Sequence, residues 1–466
     1  MKTTMIEIPA VLKAAVENVT NILQRFEKVS RGGRTVDYAT VEAELREALN
    51  GLEVSSHEAM LTELDVNWRE IVVEGKRYRK IGPSTGNYFS SAGTVKVTRN
   101  LYRERGVRNG PTVDAISLRA GVLRDGWLPG TARQMAHLLQ LGTSRDAEAT
   151  AHELGRLPYS RSSFERIGHA VGELLVAAAV DVEEALIAEF DVPPEAVGIS
   201  VSLDRASVPI EIPRKRPQGR PRKGAAKRPV QRIFRMAYCG SLALVDAEGE
   251  AIHVIRYGRM PSSDPVGLVE SLAGDAHALL AKRPDLGVTL LCDGAPELWN
   301  LLRAEFNEAA LSRPVYELID LYHLLEKLHA AAVRIHGEAE ATAVFRRWKV
   351  RLLNSDDAIH RIGEELERSG CEHAKEVHDA MTYIKNNHNR MHYATARATG
   401  RPIGSGIVEA TCKSLLAMRL KRPGARWKET TAEHVVQLRA LAISDRWAPA
   451  IKLTLAPLRR PVRRAA

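Results

Sequence analysis

No stretch of this 466-residue chain approaches the roughly 18–20 uninterrupted apolar residues that a membrane-spanning helix needs, so no membrane role is expected. Grouped cysteines are missing too. Cys239, Cys292, Cys371 and Cys412 lie far apart and form no CxxC or CxxxxH pattern, which argues against a zinc framework or a disulfide scaffold and fits a reducing cytoplasm. The opening MKTTMIEIPAVLKAAVENV carries charges every few residues, unlike a signal peptide. The chain also has no glycine-rich phosphate loop, which disfavours a small-molecule α/β enzyme. Acids are the minority charge: 57 Asp and Glu against 67 Lys and Arg give +10 and a pI near 9.4, a balance that favours a polyanionic partner such as nucleic acid. What is present, 44% hydrophobic and 27% charged residues, is ordinary for a globular chain long enough for two to four domains.

Apolar residues at three- and four-residue spacing predict amphipathic helices over 8–28 and 38–64. Over 88–104, YFSSAGTVKVTRNLYRE changes to two-residue alternation and predicts a strand or hairpin. From Thr131 to about Ala188 the helical period returns, with a break at GRLPYS and a serine-headed restart. That spacing is how a helix-turn-helix offered to a DNA groove reads, although spacing alone favours a helical hairpin packed in an α bundle.

After DVPPEAV, three strand-like runs follow: AVGISVSLDRASVPIEI, RIFRMAYCGSLALVD and AIHVIRYGRM. An amphipathic helix, the strand GVTLLCDGA, the helix PELWNLLRAEFNEAAL and the strand PVYELID come next. This is the element order of a ribonuclease-H-like α/β domain. A long helical stretch over about 321–400 precedes the segment GSGIVEATCKSLLAMRLKRPGARW. Between the first two strands, 212–232 is rich in Pro, Gly, Arg and Lys. It predicts an extended loop whose Arg214, Lys215, Arg216, Arg220, Arg222 and Lys223 contact phosphates, or a solvated linker. The tail LRRPVRRAA reads the same way.

Asp204 closes ISVSLD and Asp293 closes VTLLCD, each toward the end of an apolar strand, where α/β sheets place ligands. Like charges so close need a cation, and oxygen ligands suit Mg²⁺ or Mn²⁺. The bland alternative is a turn or helix cap, which Asp293 before Gly-Ala-Pro could supply. Glu409 follows Gly-Ser-Gly in the first turn or two of a helix. It is either a third metal ligand or a macrodipole acid worth about 0.3–1 kcal/mol. Behind it, Lys413, Arg419, Lys421, Arg422 and Arg426 form an expected cationic face for DNA. Trp427 would stack on a base or dock the helix.

VSLDRASVP, LLCDGAPELWN, DLYHLLEKL and above all RPIGSGIVEATCKSLLAMRLKRPGARW with LRALAISDRW resemble bacterial insertion-sequence DDE transposases of the ISKra type. The similarity runs from about residue 88 to 450, most strongly after 195, and the Gly-Ser-Gly…Val-Glu-Ala…Lys block is its most specific part. The resemblance implies that Asp204, Asp293 and Glu409 form the catalytic triad of a ribonuclease-H-like catalytic domain interrupted by an all-α insertion. Asp320 and His323 resemble the C/D-x-x-H signature of such insertions, a helix-start Asp with a packed His being an equal reading. Many relatives carry glycine where this chain has Arg205, and paired cysteines near the hairpin where YRERGVRNGPT has none.

The regions expected are an N-terminal helical region (1–87), a hairpin with the helix-turn-helix-like segment (88–190), the catalytic domain (195–320 and 401–450) around its insertion (321–400), and a basic tail (451–466). The implied function is metal-dependent DNA cleavage and strand transfer at element ends, with double-stranded DNA as partner and a homodimer or larger assembly in the cytoplasm, at the nucleoid. Two Mg²⁺, with Mn²⁺ able to substitute, would lie about 3.5–4 Å apart, Asp204 bridging them. The alternatives are a nuclease on the same fold and a derivative that binds DNA without chemistry.

Overall fold

The computed structural model describes residues 7–31, 33, 35–212, 231–261 and 265–465, in two units: 1–177 with 451–466, and 178–450. Among the described residues, no helix is long and apolar enough to cross a membrane.

In the first unit, α1 (Lys13–Ser30) and α2 (Tyr38–Thr62) follow the apolar spacing of the sequence. Asp37 caps α2 by accepting the Thr40 N–H at 3.4 Å. An antiparallel sheet follows: β1 (Glu70–Val73), β2 (Lys76–Phe89), β3 (Thr94–Glu104) and β4 (Thr112–Asp114). The sequence indicated only the end of β2, because Pro83 and two glycines in KRYRKIGPSTG read as turn signals. Pairing with β3 along nearly its whole length keeps the segment extended. The expected loose basic tail is instead a sheet edge where it is described, with Arg464 paired to Ile71 and Arg463 to Val72.

Helices α3 (Ala115–Ala120), α4 (Pro129–Leu141), α5 (Ser144–Glu153) and α6 (Arg161–Ala177) complete the unit. GRLPYS does separate two helices, α5 and α6, but the single helix expected before it is divided. A capping box at Thr143, reciprocated by Asp146, ends the continuity after Leu141. Helix α6 packs so closely on α4 that a Cβ on Gly168 would stand 2.5 Å from Leu139 Cδ2.

The second unit begins with α7 (Ala179–Ala188). Then come β5 (Gly198–Glu211), β6 (Arg232–Val245), β7 (Ala251–Arg259), α8 (Pro265–Lys282), β8 (Gly287–Cys292), α9 (Pro296–Glu305), α10 (Glu308–Leu311) and β9 (Val315–Ile319). The strands lie in the order β7-β6-β5-β8-β9; β5, β6 and β7 are antiparallel neighbours, while β8 and β9 run parallel to β5. Three strands, helix, strand, helical segment and strand is the order anticipated from the sequence, except that α9 and α10 are separate. Asn307 breaks them and caps α10 through the Ala310 N–H.

Between β9 and Gly406 the chain is mainly helical: α11 (Leu321–Asn354), kinked at Gly337, α12 (Ala358–Glu367), α13 (Lys375–Asn387) and α14 (Tyr393–Ala398). It then enters α15 (Gly406–Thr411), a π-helical turn over Cys412–Ala417, α16 (Met418–Leu420), α17 (Glu429–Ile443) and α18 (Trp447–Leu455).

Both sheet faces are covered, as strands with apolar residues on alternating sides require. Ile199, Val201 and Leu203 of β5 join one core with α8, α9 and α11, while Val208 and Ile210 join Val408, Leu415, Leu416 and Val436 of α15–α17 on the other. Gly400 ends α14 at φ 64°, and a Cβ there would lie 2.3 Å from the Ala247 carbonyl oxygen. Gly400→Ala is therefore expected to cost about 1–3 kcal/mol, read as a lower urea midpoint for this unit. An unchanged midpoint would show that the backbone yields freely.

Candidate active site

Register brings three acids to one level of the sheet. Beside β8, β5 is paired only from Gly198 to Val201, where Val201 faces Leu290. Three residues further along each chain stand Asp204 and Asp293. Leu203 N–H donates to Cys292 Sγ at 3.2 Å, which holds the two segments together beyond the ladder. Cys292 in turn pairs with Ile319, so Asp293 and Asp320 are the next residues on their chains. Asp204 is thus not at a strand end, as the sequence suggested. It is mid-strand in β5, which continues beside β6 to Glu211, and it lies where the parallel neighbour has stopped. Side-chain alternation puts it on the face covered by α15 and the π turn.

Asp293 does not cap α9, which has no side-chain cap; its Oδ1 accepts the Ala295 N–H at 2.9 Å in the turn that leads into that helix. The glycine that follows permits close cover, since a Cβ on Gly294 would stand 2.3 Å from the Tyr383 ring. Burial, with the charges of Asp293 and Asp320 nearby, raises the pKa of the Tyr383 hydroxyl. Arg205 reaches to Glu297 on α9, which also receives the Tyr238 hydroxyl, so an arginine after Asp204 has its own partner.

Asp320 caps α11 and is 0% exposed; its Oδ1 accepts the His323 N–H at 2.7 Å and its Oδ2 the Ser405 N–H. Burial alone would raise this carboxyl's pKa, but the hydrogen bonds from His323 and Ser405 outweigh it and hold the group below the usual carboxylate range. Gly404 allows this approach, because a Cβ there would come within 2.6 Å of the Tyr322 ring. Glu409, in the first turn of α15, accepts the Ser405 hydroxyl at 3.1 Å and keeps half of its side chain in solvent. His323 Nδ1 stands 3.4 Å from Asp320 Oδ1 and 3.7 Å from Glu409 Oε1. The Asp320 side chain first, then the charges of Asp320, Glu409 and Asp293, push the imidazole pKa up to about 9 against burial.

A raised histidine stabilises the fold fully below its ordinary pKa of about 6.5, and that contribution is lost as pH rises through the folded value. NMR titration of the metal-free protein should place the His323 ring near 9, and Glu409→Gln should lower it. A ring titrating near 6.5 in the parent protein would contradict this electrostatic picture.

The expected basic face is only partly a surface. Lys413, Lys421, Arg422 and Arg426 are exposed, but Arg419 is 4% exposed, with its guanidinium 4.7 Å over the Trp427 ring. Trp427 does not present itself to a base. Its indole N–H donates to Leu420 O at 3.1 Å, and its carbonyl accepts the Glu211 N–H at 2.8 Å. It docks the turn after α16 onto the free edge of β5, and Arg419 packs beneath that turn. Arg214, Lys215, Arg216, Arg220, Arg222 and Lys223 lie outside the described residues. Two cysteines distant in sequence do meet: the thiols of Cys239 and Cys412 and the Asp204 carboxylate are all within 4.8 Å of one another. Cys239 faces Asp204 across the β5–β6 ladder.

No family model matches the chain, and no curated protein sequence matches it. Among solved structures, the Drosophila P element transposase strand transfer complex aligns with 68% of this chain and 79% of that one, at 14% identity and a TM-score of 0.26.

The three acids expected from the sequence do not form one close group: Asp204 lies with the Cys239 and Cys412 thiols, Glu409 lies with Asp320 and His323, and Asp293 belongs to neither group. The Asp320–Glu409 pair, with Glu409 half in solvent, offers the oxygen ligands that suit a hard divalent cation. Asp320, His323 and Glu409 each offer one ligand atom within 4.8 Å of the others. The participation of Asp320 had a sequence signal. VYELID closes an apolar strand with Asp just as ISVSLD and VTLLCD do. Tyr383, Ser405 and Glu297 had none, since only the fold brings them here.

Proposed function

We propose that this chain is a DDE transposase of the ISKra type, with a ribonuclease-H-like catalytic domain over 195–320 and 401–450. The observation that carries the reading is the arrangement of Asp204 and Asp293 on adjacent parallel segments, with Glu409 held beside the next through Ser405 and His323. Asp204, Asp293 and Glu409 would hold the Mg²⁺ or Mn²⁺ ions. When bound, such cations supply Lewis-acid activation of water and of the leaving 3′ oxygen.

The protein's own part is positioning and charge. Asp293 is fixed by the Ala295 N–H, and Glu409 by the Ser405 hydroxyl, so neither carboxylate needs to reorganise as DNA enters. Lys413, Lys421, Arg422 and Arg426 supply exposed positive charge following Glu409 for the phosphate backbone. A bound DNA 3′-hydroxyl at the same carboxylates would then form a bond to a target phosphorus as the bond from that phosphorus to the target strand's 3′ oxygen breaks, the displaced 3′ oxygen taking up a proton, with no covalent protein intermediate. Two element ends must be joined, so a homodimer or larger assembly is expected on DNA.

A pre-cut, labelled duplex carrying the inverted repeat that flanks the coding sequence tests this. Joined product with target plasmid in Mg²⁺ or Mn²⁺ is the expected result. Hydrolysis without joining would turn the reading to a nuclease, and binding without either to a DNA-binding derivative.

A further inference from the structure

His323 is the one member of the acid cluster that offers nitrogen. Its Nδ1 is closed off from solvent and makes no well-formed hydrogen bond, although it faces two carboxylate oxygens at 3.4 and 3.7 Å. Those separations are too long for good hydrogen bonds. They are close to those between ligands of a common cation: bonds of about 2.1–2.2 Å at angles of about 90–110° put donor atoms about 3.0–3.6 Å apart, a window that holds the Asp320 contact and that the Glu409 contact exceeds slightly. The donors are also pre-set. Asp320 takes the His323 backbone N–H, which fixes the carboxylate one helical turn before the imidazole; each of its oxygens still has a second lone pair after accepting one N–H. Glu409, half exposed, leaves room on the solvent side for water or a phosphate oxygen.

We propose that Asp320 and His323 complete the cation site at Glu409, and that its imidazole nitrogen makes this position prefer a transition cation, Mn²⁺ over Mg²⁺. Imidazole favours transition cations, whereas Mg²⁺ is a hard ion served best by oxygen. The inference rests on the metal-dependent reading above and adds two ligands to it.

Mn²⁺ itself is the probe, titrated into the full-length protein without DNA and followed by electron paramagnetic resonance. The expected result is a bound Mn²⁺ with ¹⁴N modulation from a coordinated imidazole. His323→Ala should weaken this site at least about tenfold and remove the modulation. His323→Asp should also lose the modulation, yet bind Mg²⁺ more tightly than the parent does. Bound Mn²⁺ without ¹⁴N modulation in the parent protein, which requires no variant to fold, would overturn the inference. So would modulation that survives in His323→Asp. Since no DNA chemistry is measured, a nitrogen-ligated cation in a protein that never cleaves DNA would sink the transposase reading and leave this site standing. Cleavage with no nitrogen ligation would do the reverse.

Discussion

Asp204→Asn, Asp293→Asn and Glu409→Gln are each expected to lower metal-dependent DNA cleavage by about a thousandfold or more, with DNA affinity changed less than about threefold. Each substitution keeps the side chain's size and one oxygen while removing the charge that a cation needs. None of the three is fully buried, so the fold tolerates the change. The amide oxygen left by Asp293→Asn can still accept the Ala295 N–H, and the one left by Glu409→Gln can still accept the Ser405 hydroxyl. Cleavage rates and binding isotherms on the purified variants give the result. Near-parent cleavage by any of the three in Mg²⁺ would remove that residue from the centre. Asp320→Asn is a different experiment, because that fully buried carboxylate also holds the Ser405 N–H and caps α11.

The largest effect on stability is expected at Asp275, a residue with no part in the proposed chemistry. Asp275 and Arg446 are 2% and 7% exposed and meet at 3.1 Å, with the Tyr257 hydroxyl donating to the same carboxylate. Burial raises the Asp275 pKa, and the Arg446 charge works against that rise. Asp275→Ala leaves a buried guanidinium uncompensated and should cost about 3–5 kcal/mol in urea unfolding of the 178–450 unit. Combining it with Arg446→Met should recover most of the loss, since the pair's net contribution is small once desolvation is counted. A single variant as stable as the parent would mean that water reaches Arg446. The sign of the pH dependence follows from the raised carboxyl. The folded state holds that proton more tightly than the unfolded chain, so this group's contribution falls as pH rises through the carboxylate range.

The strands of the second unit were legible because their apolar runs are bounded by Gly, Pro and Asp, and all five appear within a few residues of their expected positions. Element order was legible for the same reason. What the sequence could not convey was register. Nothing in ISVSLDRASVPIEI says that β5 loses its parallel neighbour after Val201, which is what frees the level at which Asp204 stands. Likewise, a basic run reads as a continuous face until its arginines are placed in three dimensions. Arg419 turns inward because the π-helical turn and the Trp427 dock re-aim the helix end. The thiols of Cys239 and Cys412 show the same limit: spacing in sequence says nothing about pairing between a strand and a helix.

Asp320 and Ser405 are 85 residues apart in sequence yet joined by a hydrogen bond, and the Leu321 N–H donates to Ile403 O at 3.0 Å just beside it. The helical excursion therefore leaves and rejoins the sheet through a single doorway. Closing a chain segment at one point costs only logarithmically more as the segment lengthens, so the connection between α12 and α13 can grow with little effect on where Glu409 stands, while the helices themselves stay held by the core they share with the sheet. The doorway turns the long gap before the third acid into a tolerant hinge point: material added beyond it can acquire new partners while the carboxylates keep their level.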